Sequence, residues 1–207
     1  MRSADKYADK AAGWTERQYA DASAYLAHRA RLVRGLGAPL APGDTVLDLA
    51  CGDGGLAAHL PQQRYLGVDG SPAMVEAARA RGINAAVGDL NTYEPPEPVA
   101  AVTVFRAIYY AEDRAAFFRR VHAFATRKLV FDLNPRQFPV ATIRAELAAA
   151  GFGAVTLRPF LVPQNVALPG PLLRAAIAAE RTPLARLALR FRFTYVVAAR
   201  VDAGGAT

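Results

Sequence analysis

Three aspartates each follow a short apolar run, and their spacing indicates that they surround one ligand. Asp48 lies in the run 45–50, Asp69 follows 65–68, and Asp89 follows 84–87. Asp69 comes 21 residues after Asp48, a spacing typical of a carboxylate that accepts both ribose hydroxyls of a nucleoside. An aspartate inside an apolar strand is costly unless it meets a cation such as an amino-acid ammonium. Asp89 is suited to accept from an exocyclic amine of adenine.

A glycine turn follows the first apolar run. Gly52, Gly54 and Gly55 let the backbone turn tightly and approach a ligand, and a helix beginning after the turn would offer unpaired amides. The spacing Ala50-x-Gly52-x-x-Gly55 also resembles a degenerate dinucleotide fingerprint, with Asp69 on the ribose of a nicotinamide cofactor. That alternative explains Asp48 and the pair Gly88-Asp89 poorly, and a pyrophosphate would be repelled by the carboxylates of Asp48 and Asp53. Asp53 is interpreted as a helix cap and Cys51 as a small buried filler.

The elements that must position these residues alternate along the chain. Short apolar runs predict strands at 45–50, 65–68, 84–87, 101–105 and 128–132, and helical patterns lie at 56–60, 73–81, 113–125 and 142–150. Runs at 154–162 and 191–201 predict a hairpin, and residues 5–36 predict two helices hinged near Gly13. We therefore predict an α/β, Rossmann-like doubly wound sheet of five parallel strands plus a C-terminal antiparallel hairpin, with helices on both faces. It forms a single domain over 1–207, with a helical cap over 1–40 and a helical insertion over 163–190 that covers the carboxyl edge of the sheet.

Three segments carry a specific resemblance: VLDLACGDG at 46–54, GVDGSPAM at 67–74 and VGDL at 87–90. In this order and spacing they resemble the first motifs of the class I S-adenosylmethionine-dependent methyltransferases, over about 41–153. Ala50 departs from the glycine that this family often has. The resemblance implies that S-adenosylmethionine is the cofactor and that the following residues bind it: Trp14, Asp48, Ala50, Gly52, Gly54, Asp69, Gly70, Met74, Gly88, Asp89, Leu90 and Arg106.

The methyl acceptor is expected beside the tips of the fourth and fifth strands. Tyr109 and Tyr110 are candidate catalytic residues that orient an acceptor, although a tyrosine hydroxyl is a poor base near neutral pH. Asn134 is a third candidate, but its Asn-Pro pair lacks the Pro-aromatic continuation typical of enzymes that methylate base amines. Packing roles for the tyrosines and an ordinary turn at Asn134 remain open alternatives.

Composition and charge restrict the classes of ligand and partner that the chain is expected to bind. The net charge of +7 comes mostly from scattered arginines, which favours anionic partners without indicating a nucleic-acid face, so an RNA-modifying methyltransferase is kept as an alternative. The three histidines and one cysteine lack the spacing of metal ligands, and no metal is predicted. The apolar and basic segment 163–190 favours O- or N-methylation of a small-molecule or lipid-like acceptor and is compatible with peripheral membrane contact. No signal peptide or transmembrane segment is evident, so the sequence predicts a cytoplasmic protein, either a monomer or a homodimer.

Overall fold

Seven strands form one mixed sheet in a computed structural model, which describes residue 11, residues 13–188 and residues 194–202. The strands are β1 (Thr45–Leu49), β2 (Arg64–Asp69), β3 (Ala85–Val87), β4 (Val99–Val104), β5 (Ala125–Leu133), β6 (Phe152–Phe160) and β7 (Thr194–Val201). Their order is β3-β2-β1-β4-β5-β7-β6. The first five pair in parallel, and β7 lies antiparallel between β5 and β6. The predicted fold class, including the C-terminal antiparallel hairpin, is confirmed.

Helices connect the strands and flank the sheet. They are α1 (Trp14–Gln18), α2 (Ala22–Gly35), α3 (Pro72–Ala80), α4 (Arg114–Phe124), α5 (Val140–Ala149), α6 (Gly170–Ala179) and α7 (Ala185–Ala188). Two details differ from the sequence predictions. The N-terminal helices separate at Tyr19–Asp21, with Gly13 as the left-handed residue before α1, and the predicted helix at 56–60 is a single 3₁₀ turn at Ala57–His59. The parts of the predictions at 1–10, 12, 189–193 and 203–207 lie outside the described residues.

The two faces of the sheet pack against different helices because side chains alternate along every strand. On one face, the strands pack against phenylalanines of α4 and against Ile143 and Leu147 of α5. On the other face, Val46, Ala101 and Val130 pack against α2. Asp48 shares this second face with Val46, two residues earlier, so the polar tip of β1 points to the side of the sheet that α2 covers.

The insertion after β6 packs on α2. It leaves the sheet at its carboxyl edge, but Leu173 and Ile177 of α6 contact the α2 cluster. The buried carboxylate of Glu180 lies 2.7 Å from Nε2 of His28 and accepts from the backbone amide of Leu161. None of the insertion residues that the structure describes lines the main cavity. Gln164 at the start of the insertion donates to the backbone carbonyl of Gln18 in α1, and coverage of the carboxyl edge by the insertion stays a prediction. None of the helices within the described ranges is long and apolar enough to cross a membrane.

A buried lysine of β5 caps the C-terminus of α2. Lys128 of β5 is fully buried, and its ammonium donates to the carbonyls of Leu36, at 2.9 Å, and Arg34, at 3.4 Å. These carbonyls lack partners inside the helix, so the lysine satisfies groups that a helix C-terminus leaves open. Burial, more than the nearby charge of Arg127, lowers the pKa of Lys128 to about 8 from its ordinary value of 10.5.

This lysine makes stability depend on pH in a predictable direction. Between about pH 8 and pH 10.5 the unfolded chain holds the proton that the folded chain has released. The free energy of unfolding should therefore rise with pH across this window, by about 1–3 kcal/mol. Urea unfolding at several pH values should show the rise in the native chain but not in Lys128→Met. Parallel pH profiles of the two proteins would contradict the assignment.

Candidate functional site

A cavity of about 780 Å³ opens at the carboxyl ends of the parallel strands. This is the edge at which open α/β sheets bind ligands. Its walls combine polar groups from β1 to β4 with residues of α1 and α2. They include Trp14, Thr15, Tyr19, Arg29, Asp48, Ala50, Cys51, Gly52, Asp53, Asp69, Gly70, Met74, Gly88, Asp89, Leu90, Asn91, Phe105, Arg106, Tyr109, Tyr110 and Glu112. Every cofactor-binding residue predicted from the sequence except Gly54 lines this space, as do Tyr109 and Tyr110.

Asp69 joins the ends of β1 and β2. Its carboxylate accepts from the backbone amides of Gly52, at 2.8 Å, and Ser71, at 2.9 Å. Burial raises its pKa, against the lowering effect of these two hydrogen bonds. A carboxylate offers about four lone-pair positions, so two remain for a ligand in the cavity. The geometry is compatible with an acceptor for two hydroxyl groups.

Asp48 is buried beneath the glycine turn. Its two oxygens accept from the hydroxyls of Thr103, at 2.6 Å, and Tyr65, at 2.5 Å. Burial raises its pKa to about 6, although the two hydroxyls and the charge of Arg29 act in the opposite direction. The sequence predicted a cation as its partner. Within the described part of the chain the direct partners are hydroxyls, and the nearest cationic influence is Arg29.

Asp53 holds α1 against the glycine turn. The carboxylate is 1% exposed, accepts from both the backbone amide and the hydroxyl of Thr15, and lies 3.1 Å from Arg81. Thr15 is in the first turn of α1, so Asp53 caps this helix from a distant position in the chain. The sequence interpretation of Asp53 as a cap is correct in kind, but the capped helix is α1 and not the helix after the turn.

Two glycines permit this close approach. A Cβ on Gly55 would collide with the Thr15 hydroxyl, so Gly55 lets α1 reach Asp53. Gly52 has a φ of +58°, and the Trp14 ring lies about 3.5 Å from where its Cβ would be. Trp14 therefore covers the turn from the side of α1.

Two residues other than glycine also have left-handed backbones, Ala50 with φ +63° and Arg106 with φ +56°. Both line the cavity. Alanine and arginine adopt this region at a cost of roughly 1–2 kcal/mol, and such residues concentrate at functional sites. The departure at Ala50 therefore keeps the backbone shape that glycine would supply.

The end of β3 forms the wall next to α3. Met74 and Leu90 are buried there, and Gly70 and Gly88 leave the backbone open to the cavity. One oxygen of Asp89 accepts from both nitrogens of Asn91. Asn91 also donates to the carbonyl of Tyr110 and accepts from the amide of Glu112, so it links this wall to the segment after β4.

The opposite end of the cavity, between β4 and α2, carries two guanidinium groups. Arg106 donates a side-chain hydrogen bond to Gln18 of α1 at 3.1 Å. Arg29 of α2 lies over the Phe105 ring at 4.2 Å and donates to Asp132 at 3.2 Å. The other oxygen of Asp132 accepts from the backbone amide of Arg106 at 2.7 Å. The exposed rings of Tyr109 and Tyr110 contact each other at the mouth.

Asn134 lies outside the cavity lining, so the structure does not support its predicted catalytic role. Its side-chain oxygen accepts from the Arg136 amide at 3.1 Å, which makes it the turn residue that the alternative interpretation described. Cys51 is not an activated nucleophile, because burial raises the pKa of its thiol. Among the residues that the structure describes, no group of three or more His, Cys, Asp or Glu side chains could hold a metal ion.

Sequence reasoning missed several residues of the site. Arg29, Asn91 and Thr15 line the cavity, and Tyr65 and Thr103 bind Asp48 from below. The contacts of Tyr65 and Thr103 with Asp48 could have been anticipated in part, since each residue lies on a predicted strand that neighbours β1. No sequence signal identified Arg29, because its place at the cavity depends on how α2 crosses the sheet.

Comparisons with known proteins agree with this architecture. Residues 46–128 match a family described as a methyltransferase domain. The chain is 39% identical over 106 residues to trans-aconitate 2-methyltransferase of Mycobacterium ulcerans. This match covers 46% of this chain and 40% of that protein. It is 36% identical over 75 residues to the trans-aconitate 2-methyltransferase of Mycobacterium tuberculosis strain H37Ra. The chain thus spans less than half the length of these curated relatives.

Solved structures share the fold at low sequence identity. A chain in the complex between the Haloferax volcanii Trm112 methyltransferase activator and a methyltransferase superposes with a TM-score of 0.68, at 21% identity and full coverage of both chains. Magnesium protoporphyrin IX methyltransferase of Synechocystis PCC 6803, solved with bound SAM, gives a TM-score of 0.57 at 19% identity, over 86% of this chain and 76% of that one.

Proposed function

We propose that the chain is a class I S-adenosylmethionine-dependent methyltransferase, that its cavity binds S-adenosylmethionine and that a small-molecule acceptor takes the methyl group. One observation carries the proposal. Asp48, Asp69 and Asp89 come from three successive strand ends and line one cavity. The dinucleotide alternative is not favoured, because the matching family is a methyltransferase domain and the carboxylates of Asp48 and Asp53 line the cavity together with the glycine turn, where they would repel a pyrophosphate.

The residues present fit this cofactor. Asp69 has free lone pairs for the ribose hydroxyls, and Met74 and Leu90 give an apolar bed for adenine with Asp89 at its edge. Asp48 would attract the ammonium of the methionine moiety, and the amides of the glycine turn are close by. When bound, S-adenosylmethionine supplies a methyl group already activated on a sulfonium, so this chain's own task is to align the acceptor.

We further propose that the chain acts as one domain, with α1 and α2 as a cap. Trp14 would shield the methionine moiety from water, because α1 is held against the glycine turn through Thr15 and Asp53. Excluding water strengthens every electrostatic contact in the site. Tyr109 and Tyr110 would orient the acceptor at the mouth.

A small acceptor is the preferred class. The curated relatives are named for trans-aconitate, and one solved structure of the same fold is a Haemonchus contortus N-methyltransferase in complex with phosphomonomethylethanolamine. These names give small polar acceptors. The RNA alternative has no comparable support, since the arginines described at the site pack into the cavity and do not form an exposed strip.

Calorimetry and methyl transfer test the proposal together. Titration with S-adenosylhomocysteine should give one site per chain, and NADH should give no binding under the same conditions. Methyl-labelled S-adenosylmethionine should then label at least one member of a panel of small acids, phenols and amines, with no label in bulk RNA. Absence of S-adenosylhomocysteine binding would refute the cofactor. Labelling of RNA alone would refute the small acceptor.

A further inference from the structure

Two guanidinium groups, those of Arg29 and Arg106, line the end of the cavity between β4 and α2, where the acceptor is proposed to bind. The carboxylate of Asp132 accepts from the Arg29 side chain and from the backbone amide of Arg106. Asp132 uses one oxygen for the Arg29 side chain and the other for the Arg106 backbone amide, so the Arg106 guanidinium has no carboxylate partner among the described residues. Arginine recognises carboxylates through a planar fork of N–H donors.

Arg29 has an unused donor in a buried place. Its side chain is 3% exposed, and its Nε is buried without a hydrogen-bond partner, while Nη2 donates to Tyr25 and Asp132. Buried polar groups are nearly always paired, and leaving one unpaired destabilises the folded chain. A ligand oxygen entering the cavity would remove this cost.

Arg106 is held in a conformation that glycine or asparagine would adopt more easily. Its φ of +56° is unusual for a long side chain. Strain of this kind persists where surrounding structure enforces it, and it is enriched at ligand sites. The strained backbone turns the Arg106 amide toward Asp132 and its side chain toward the cavity and Gln18.

The same end of the cavity offers no effective base. The three histidines of the chain are all described, and none lines the cavity. Asp132 is occupied by two donors, and Glu112 is an exposed carboxylate at the rim. A carboxylate has too little proton affinity to deprotonate an alcohol or an ammonium efficiently at neutral pH. An acceptor that already lacks its proton would need no such group.

Resting on the function proposed above, we propose that the acceptor is a carboxylic acid, bound as its carboxylate by Arg106 and Arg29 and converted to a methyl ester. A carboxylate oxygen forms the new bond to the methyl carbon as the carbon–sulfur bond breaks. The bonding pair passes to sulfur, so the sulfonium becomes the neutral thioether of S-adenosylhomocysteine. The carboxylate loses its charge in the ester, no proton is released, and atoms and charge balance.

Binding to the protein saturated with S-adenosylhomocysteine tests this inference. The probes are itaconate, succinate, benzoate and trans-aconitate, each paired with its methyl ester, in calorimetry at low ionic strength. At least one acid should bind, with its ester at least tenfold weaker. Arg106→Met should weaken binding of the acid by about tenfold or more and leave the affinity for the ester unchanged, since a charge-assisted hydrogen bond contributes roughly 1.5–3 kcal/mol. Arg106→Lys should restore part of the loss.

The control variant is Arg119→Met, which removes an exposed arginine of α4 remote from the cavity. Its affinity for the acid should equal that of the native chain. S-adenosylhomocysteine affinity, measured first on every variant, separates this inference from the proposed function. If S-adenosylhomocysteine binds but no acid exceeds its ester, or if Arg106→Met binds acids as well as the native chain, the carboxylate inference is overturned while cofactor binding stands.

Discussion

The Asp69→Ala variant is expected to bind S-adenosylhomocysteine about 100-fold more weakly than the native chain. The substitution removes the proposed acceptor of two ribose hydroxyl hydrogens. Each charge-assisted hydrogen bond contributes roughly 1.5–3 kcal/mol, and roughly 3 kcal/mol corresponds to a hundredfold change in affinity. It also frees the amides of Gly52 and Ser71, which Asp69 holds at the ends of β1 and β2. Calorimetry measures the loss.

Asp113→Ala is the matched control for this change. Asp113 also accepts a backbone amide, that of Ala116, but it caps α4 and does not line the cavity. The control should lose about 1 kcal/mol of stability and keep its full affinity for the cofactor. Thermal unfolding of both variants verifies that they fold. An Asp69→Ala protein that folds and binds within threefold of the native affinity would contradict the ribose role.

Asp48→Asn is expected to stabilise the ligand-free protein and to weaken cofactor binding. The pKa of Asp48 is raised by burial to about 6, above its ordinary value of 3.8. Between these pH values the folded chain holds a proton that the unfolded chain has lost, so the free energy of unfolding falls as pH rises from about 4 to about 6. At pH 7.5 the amide should be more stable by about 1–3 kcal/mol. Near pH 4 the two proteins should unfold together.

The amide also fits the existing contacts, because its oxygen can accept from one hydroxyl and its nitrogen can donate to the other, at Thr103 and Tyr65. It cannot attract an ammonium. S-adenosylhomocysteine affinity should therefore fall about tenfold or more. Asp202→Asn, at a half-exposed position away from the cavity, should change neither quantity. If Asp48→Asn lowered the unfolding temperature at pH 7.5, the buried charge would be stabilising and the assignment wrong.

The parallel part of the fold could be predicted because local pattern and tertiary structure agree. Each short apolar run that ends in a polar turn became a parallel strand, and the connection lengths left room for crossovers. The short 3₁₀ turn at Ala57–His59 was not predicted, since an apolar run of five residues does not distinguish one helical turn from the start of a longer helix. The path of the insertion depends on the buried pair His28 and Glu180, which are 152 residues apart.

The sequence predicted the cavity-lining residues that follow strand ends and missed those that come from a helix. Asp48, Asp69 and Asp89 were found because a carboxylate after an apolar run is unusual in sequence. Arg29 was not predicted, because the sequence does not distinguish it from the other arginines of α2. Only its packing against Phe105 and Phe160 in the folded chain does so. Asn134 does not line the cavity, because a strand end beyond β4 need not face it.

The charges around the cavity are separated, with aspartates at the ends of β1 to β3 and guanidinium groups toward α2 and β4. Such an arrangement creates an electric field along the length of the cavity. A molecule that carries opposite charges at its two ends has one orientation of low energy and is repelled in the reverse one. We therefore expect the polarity of the walls to favour one direction of entry before any single contact forms.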